Sequence, residues 1–265
     1  MKQRLITGVI AAALFLPIVW LGGLPFLLAV YFIASIGLFE LLRMRGIPIT
    51  SFSGTVALLV VWGLLLPDDI LQQVSWVSEF DRFGWLYIGI IVLLGWTVVS
   101  KNRFSFVDAG FVTVSMLYVG IPLAYFYELR ELGLAYLLLV MLTIWASDIG
   151  AYQVGRKIGK RKLWETISPN KTIEGFFGGV VAAVLVAACF YVFSDIAYPL
   201  WHFLLLGIVI ASVGTFGDLV ESAYKRHFHV KDSGAILPGH GGVLDRFDSL
   251  MYTLPVLFIL QLIGN

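Results

Sequence analysis

Two short acidic stretches carry residues that could do chemistry together. "GDLVES" sets Asp218 and Glu221 three positions apart, and "LDRFDS" sets Asp245 and Asp248 at the same spacing. On a helix, residues three apart share a face, so each stretch would present two carboxylates side by side. Four such groups, if they converge, repel one another until a cation relieves them. A hard divalent ion does this with oxygen ligands. Magnesium commonly takes one or two carboxylates and completes its shell with substrate phosphates. Asp218 and Asp245 are the expected core of a metal site, with Glu221 and Asp248 as acidic neighbours; direct ligation by all four is not required. Asp148 is a further acid near a span end. It either joins this group or reaches out to the membrane surface, where Arg156 and Lys157 follow.

The cations point the same way. "YKRHFHVKD" supplies Lys225, Arg226 and Lys231, and "GRKIGKRKLWETISPNKTIEG" supplies Arg156, Lys157, Lys160, Arg161, Lys162 and Lys171. A basic loop can simply fix topology and attract anionic lipid, at about 1 kcal/mol per residue near the surface, and Lys160 to Lys162 fit that role. Lys171 fits it poorly. Ser168 and Pro169 are expected to open a helix, with Thr172 and Glu174 near its first turn. A lysine there opposes the helix dipole unless an anion sits at the N-terminus, so Lys171 reads as a phosphate contact. In "PGHGG", Gly239, Gly241 and Gly242 allow a tight turn whose amides could cradle phosphate; the alternative is a plain hinge. No Walker A pattern occurs. Acid pairs, phosphate-seeking cations and a glycine turn suit phosphoryl or nucleotidyl transfer to a lipid. The residue chemistry alone does not choose the substrate.

The elements that position these groups lie in a membrane. The chain has 265 residues, 59% hydrophobic and 13% charged, against roughly 45–50% and about 25% in soluble domains. That excess predicts an all-α polytopic membrane protein. Spans of about 20 apolar residues fit at 5–22, 24–42, 52–67, 84–100, 107–127, 132–152, 176–194, 200–222 and 250–264. The first has a basic start but no clear small-x-small cleavage site behind it, so it reads as a retained span. Nine spans put the termini on opposite sides. With the N-terminus cytoplasmic and the C-terminus outside, 16 of the 18 Lys and Arg fall in inside segments, leaving only Arg82 and Arg130 outside. This matches the positive-inside rule. Asp68, Asp69, Glu79, Asp81, Glu128, Glu131 and Asp195 then lie in outer loops, and Trp20, Trp85 and Trp201 near span ends. The organisation expected is an N-terminal region, 1–130, with about five spans, and a catalytic region, 131–265, with cytoplasmic loops 153–175 and 223–249. The single cysteine, Cys189, excludes an internal disulfide and disfavours a cysteine zinc site.

From Ser222 to Asp248 the chain reads S-AY-KR-HFHV-KD-SGAIL-PGHGG-VL-DR-F-D. This 27-residue run resembles the motif of the phosphatidate cytidylyltransferase family, the CDP-diacylglycerol synthases. Tyr224, where an aliphatic residue or Phe is expected, is a mild departure. "SPNKTIEG", Ser168 to Gly175, is similar to the second family motif, while the first half matches mainly in hydropathy. The resemblance implies attack of phosphatidate on the α-phosphate of CTP, with release of pyrophosphate and formation of CDP-diacylglycerol. It implies magnesium, as one ion or two with room for a monovalent cation, a homodimer, and no nucleic-acid partner. It implies an inner (cytoplasmic) cell membrane location with the active site facing the cytoplasm. Asp218, Asp245, Lys225 and Arg226 match catalytic positions. Lys171, Ser168, Thr172, Lys231, Arg246, Gly241, Gly242 and His240 match substrate-binding ones, and Asp218, Asp245, Glu221 and Asp248 the metal site. His240 is expected to stabilise the turn or hydrogen-bond phosphate rather than act as a base, because a phosphate monoester is already largely ionised near neutrality. Two rivals are a CTP-dependent lipid-alcohol kinase of the dolichol-kinase kind, disfavoured by the complete run, and a transporter, disfavoured because the charges crowd one face.

Overall fold

The computed structural model describes residues 2–67, 82–236, 239 and 241–264. Nine helices and one hairpin lie among them: α1 (Lys2–Leu21), α2 (Gly23–Met44), α3 (Phe52–Leu64), α4 (Arg82–Val99), α5 (Phe106–Leu132), α6 (Leu134–Ile158), β1 (Lys162–Trp164), β2 (Ser168–Thr172), α7 (Ile173–Phe193), α8 (Leu200–His227) and α9 (Leu244–Ile259). Six of these helices, α2 and α4 to α8, are long and apolar enough to cross a bilayer. The expected third and ninth spans coincide with helices of 13 and 16 residues, shorter than the roughly 17 residues of a minimal span. The outer-loop acids Asp68, Asp69, Glu79 and Asp81 lie outside the described residues.

Polarity is arranged for lipid. Large apolar side chains such as Phe32, Phe83, Val98, Phe177 and Phe193 point outward, while Glu40, Ser115, Thr143, Ser147, Glu221 and Thr253 are buried. A helix can carry its apolar face outward because its backbone groups are satisfied internally.

The chain forms two compact units, Met1–Tyr127 with Ser233–Leu244, and Glu128–Asp232 with Asp245–Asn265. In the first, aromatic contacts tie the helices: Phe26 stands 5.2 Å from Phe126, and Phe52 lies 4.3 Å from Trp96, centroid to centroid. Ser51 caps α3 by accepting from the Gly54 amide. In the second, small residues let helices approach. Gly175, Gly179, Ala183 and Ala187 recur at every fourth position on the buried face of α7. A methyl group at Gly179 would meet Ser147 and Ala151 of α6, and the α8 backbone at Gly207 closes on Val184 of α7. The small-residue run of α7 therefore packs within the chain, as small residues do between membrane helices.

The expected helix start at Ser168 and Pro169 is corrected. Those residues form β2, antiparallel to β1, with Lys162 opposite Thr172 and Trp164 opposite Ser168. The helix begins at Ile173 because Thr172, in an extended conformation, accepts from the Gly175 amide at 3.1 Å. Glu174 then reaches back to accept from the Lys160 and Arg161 amides at 3.0 and 3.2 Å. The chain is otherwise helical, as expected of an all-α membrane protein, and this hairpin occupies part of what was expected to be loop 153–175. Replacing Thr172 by Ala removes the cap and is expected to lower stability by about 1 kcal/mol, read as an earlier midpoint in detergent-driven unfolding.

Candidate active site

Helix α8 carries Asp218, Glu221, Lys225 and Arg226, and it runs on to His227, past the expected span end. Its last turn is basic, which complements the dipole. Helix α9 starts at Leu244, so Asp245 lies in its first turn, where a carboxylate is favoured for the same reason. The two helices cross closely because Gly217 has no side chain. A methyl there would come within 2.8 Å of both the Asp248 carbonyl oxygen and Tyr252 Cβ. That crossing lies one residue from Asp218 and brings both acidic pairs together.

Two lysines enter the cluster. Lys171, at the end of β2, places Nζ 2.6 Å from Asp218 Oδ2. Lys225 places Nζ 2.6 Å from Asp245 Oδ1 and 3.5 Å from Glu221 Oε2. The Lys225 pairs are the more buried: the side chains of Lys225, Asp245 and Glu221 are 13%, 8% and 0% exposed. Ser222 donates to Asp218 Oδ1 at 3.3 Å, and the Ser249 amide donates to Asp248 Oδ1 at 2.7 Å. Asp148 of α6 interacts electrostatically with Asp218, Asp248 and Lys171, and so joins the group. It lines a cavity of about 510 Å³ with Arg156, Asn170, Lys171, Thr172 and Asp218.

Five carboxylates thus gather around two ion-paired lysines. Glu221 is fully buried, facing Lys225 at 3.5 Å and interacting with the Asp248 carboxylate, and a buried carboxylate is costly without such a positive partner. The donor set is all oxygen and carries surplus negative charge, which fits a hard cation. Among the described residues, no three acids or histidines are arranged as a ready ligand set. Lys171 and Lys225 already stand against Asp218 and Asp245.

The remaining expected residues are more dispersed. Arg226 is exposed and donates to the Ile167 carbonyl at 3.4 Å, next to Ser168. Lys231 and Arg246 are exposed. His240 lies outside the described residues. In the other unit, Gly239 and Gly241 adopt φ of 77° and 87°, the left-handed region that favours glycine, so the tight turn is present.

One acid was missed by the sequence reading. Glu40 of α2 is 1% exposed. Its Oε2 accepts from Ser233 Oγ and the Leu244 amide, each at 3.0 Å, and its Oε1 accepts from the Val243 amide at 2.9 Å. The available signal was a carboxylate inside the expected span 24–42, a costly position that usually has a reason.

The fold and the site define a multi-pass membrane protein with a carboxylate–lysine centre, and a family profile described as the cytidylyltransferase family matches residues 2–263. The chain belongs to that family. It is similar to phosphatidate cytidylyltransferase of Staphylococcus epidermidis, at 50% identity over 260 residues covering 98% of each chain. It is also similar to phosphatidate cytidylyltransferase of Bacillus subtilis, at 46% over 264 residues covering 98% of this chain and 97% of the relative. The same name belongs to a relative in Staphylococcus aureus at 46% over 260 residues, covering 98% of each.

Proposed function

We propose that this protein is a phosphatidate cytidylyltransferase, forming CDP-diacylglycerol and pyrophosphate from CTP and phosphatidate at the α8–α9 cluster. The observation that carries the reading is the pair of ion pairs, Lys171–Asp218 and Lys225–Asp245, at 2.6 Å each within a surplus of carboxylates. Near-full-length similarity to relatives of that name supports the same substrates.

Each ion pair holds the two charges a nucleotide–metal complex needs. Lys171 and Lys225 are placed to bind phosphate oxygens. Asp218 and Asp245 would hold the ion, with Glu221 and Asp248 as acidic neighbours. When bound, magnesium supplies charge neutralisation at the phosphate oxygens.

The nucleophile is the phosphate monoester of phosphatidate, whose second pKa is about 6, so the protein needs no strong base. Its oxygen forms a bond to the α-phosphorus of CTP as the bond to the bridging oxygen breaks, and pyrophosphate carries away the electron pair. Lys171, Lys225 and Arg226 align the phosphates and stabilise the charge growing on the leaving group. The family resemblance supports further substrate contacts by Lys231, Arg246, Ser168, Gly241 and Gly242, and Thr172 lines the Asp148 cavity.

The charge asymmetry of the loops supports nine spans, a cytoplasmic N-terminus and a site on the cytoplasmic face of the cell membrane. There a soluble nucleotide can meet a lipid head. The family resemblance supports a homodimer. CTP labelled in turn at the α and γ positions tests the reaction. The α label is expected in the lipid extract. Entry of the γ label instead would mean a lipid kinase.

A further inference from the structure

We propose that Glu40 is a positioning residue for cytidylyl transfer: it holds the glycine turn and the first amides of α9, and so fixes where Asp245 begins. The inference rests on the assignment of Asp245 to the active site. Glu40 belongs to α2, and the amides it binds lie 203 and 204 residues further along the chain. The first amides of any helix have no partner within it, and burial makes an unpartnered amide costly. Helix α9 has no acid of its own at Val243 or Leu244 to serve them, and the Glu40 carboxylate does so from another helix. Leu244 is the first residue of α9 and Asp245 the second.

The glycines around this anchor have a steric reason. A methyl group at Gly242 would collide with Ser233 Oγ and both Glu40 oxygens, and one at Gly234 would collide with the same carboxylate. Both glycines stay bare so that the segment can close over Glu40. The need for Gly242 is therefore one of space, whereas Gly239 and Gly241 are needed for their backbone angles. Glutamine cannot replace this carboxylate. With its oxygen at the Oε2 position, its NH2 faces the Val243 amide. With the amide flipped, the NH2 faces the Leu244 amide. Either orientation sets donor against donor.

The test uses the full-length protein in lipid nanodiscs. Glu40→Gln, Gly242→Ala, Ser233→Ala and Asp245→Asn are compared by turnover per folded molecule and by hydrogen exchange of the peptide containing Val243 and Leu244. Glu40→Gln is expected to speed exchange in that peptide and leave α7 protected. It should lower kcat by about 10- to 100-fold, the size of effect that an ångström-scale displacement brings, with a much smaller change in KM for CTP. Gly242→Ala should reproduce both effects, and it carries the test if Glu40→Gln does not fold. Ser233→Ala, which removes one donor and leaves both amides bound, should fall between these variants and wild type. Faster exchange with wild-type kcat would overturn the positioning role, as would unchanged exchange. An Asp245→Asn protein with wild-type turnover would instead overturn the active-site assignment on which the inference rests.

Discussion

Asp245→Asn is expected to insert and fold yet lose cytidylyl transfer by about 10³-fold, roughly 4 kcal/mol at 1.36 kcal/mol per decade. The substitution keeps the shape of the side chain and removes its charge. Asp245 is the acid that Lys225 neutralises at 2.6 Å, and under the proposed mechanism it is one of the two carboxylates that would hold the cation. A neutral amide would hold a cation poorly, and Lys225 loses the Asp245 carboxylate that orients it. The measurement is initial rate with saturating CTP and phosphatidate, normalised to folded protein. Excess magnesium is expected to recover little, because the lost charge is part of the site itself. A rate within a few-fold of wild type would remove Asp245 from the chemistry.

Lys225→Met has the largest expected effect on stability. The ammonium group faces two acids, Asp245 and the fully buried Glu221. Breaking a buried pair by removing one partner costs about 3–5 kcal/mol, because the remaining charge is left uncompensated. Unfolding in mixed micelles should show that loss. The double variant Lys225→Met, Asp245→Asn should recover part of it, because one of the two stranded charges is gone, and neighbours of this kind couple by about 0.5–3 kcal/mol. Strict additivity of the two substitutions would contradict the pairing. Both single variants and the double variant should be inactive, so stability and activity separate cleanly in this series.

Much of the helical pattern is legible in hydropathy. The long apolar runs 107–127, 132–152, 176–194 and 200–222 each fall within or nearly within an observed helix. The acid pairs were legible because three-residue spacing on a helix fixes a common face. The close α8–α9 crossing was not, since Gly217 looks like any other glycine until a neighbouring backbone occupies the space its side chain would fill. The lysine partners were not legible either. Lys171 reads as an anion site from local dipole logic, while tertiary packing sets it against Asp218. The hairpin escaped because 162–172 is short, polar and contains Pro169, so it lacks the apolar alternation that marks a strand. Glu40 escaped because its partners lie about 200 residues away, and no local pattern records a contact of that range.

The most direct measurement is pyrophosphate release by purified protein in phosphatidate-containing micelles, with CTP present and magnesium titrated. One pyrophosphate per molecule of CDP-diacylglycerol is expected, rising from near zero with added magnesium and absent when phosphatidate is withheld. Release of CDP in place of pyrophosphate, or lipid product formed at full rate with magnesium chelated, would contradict the account.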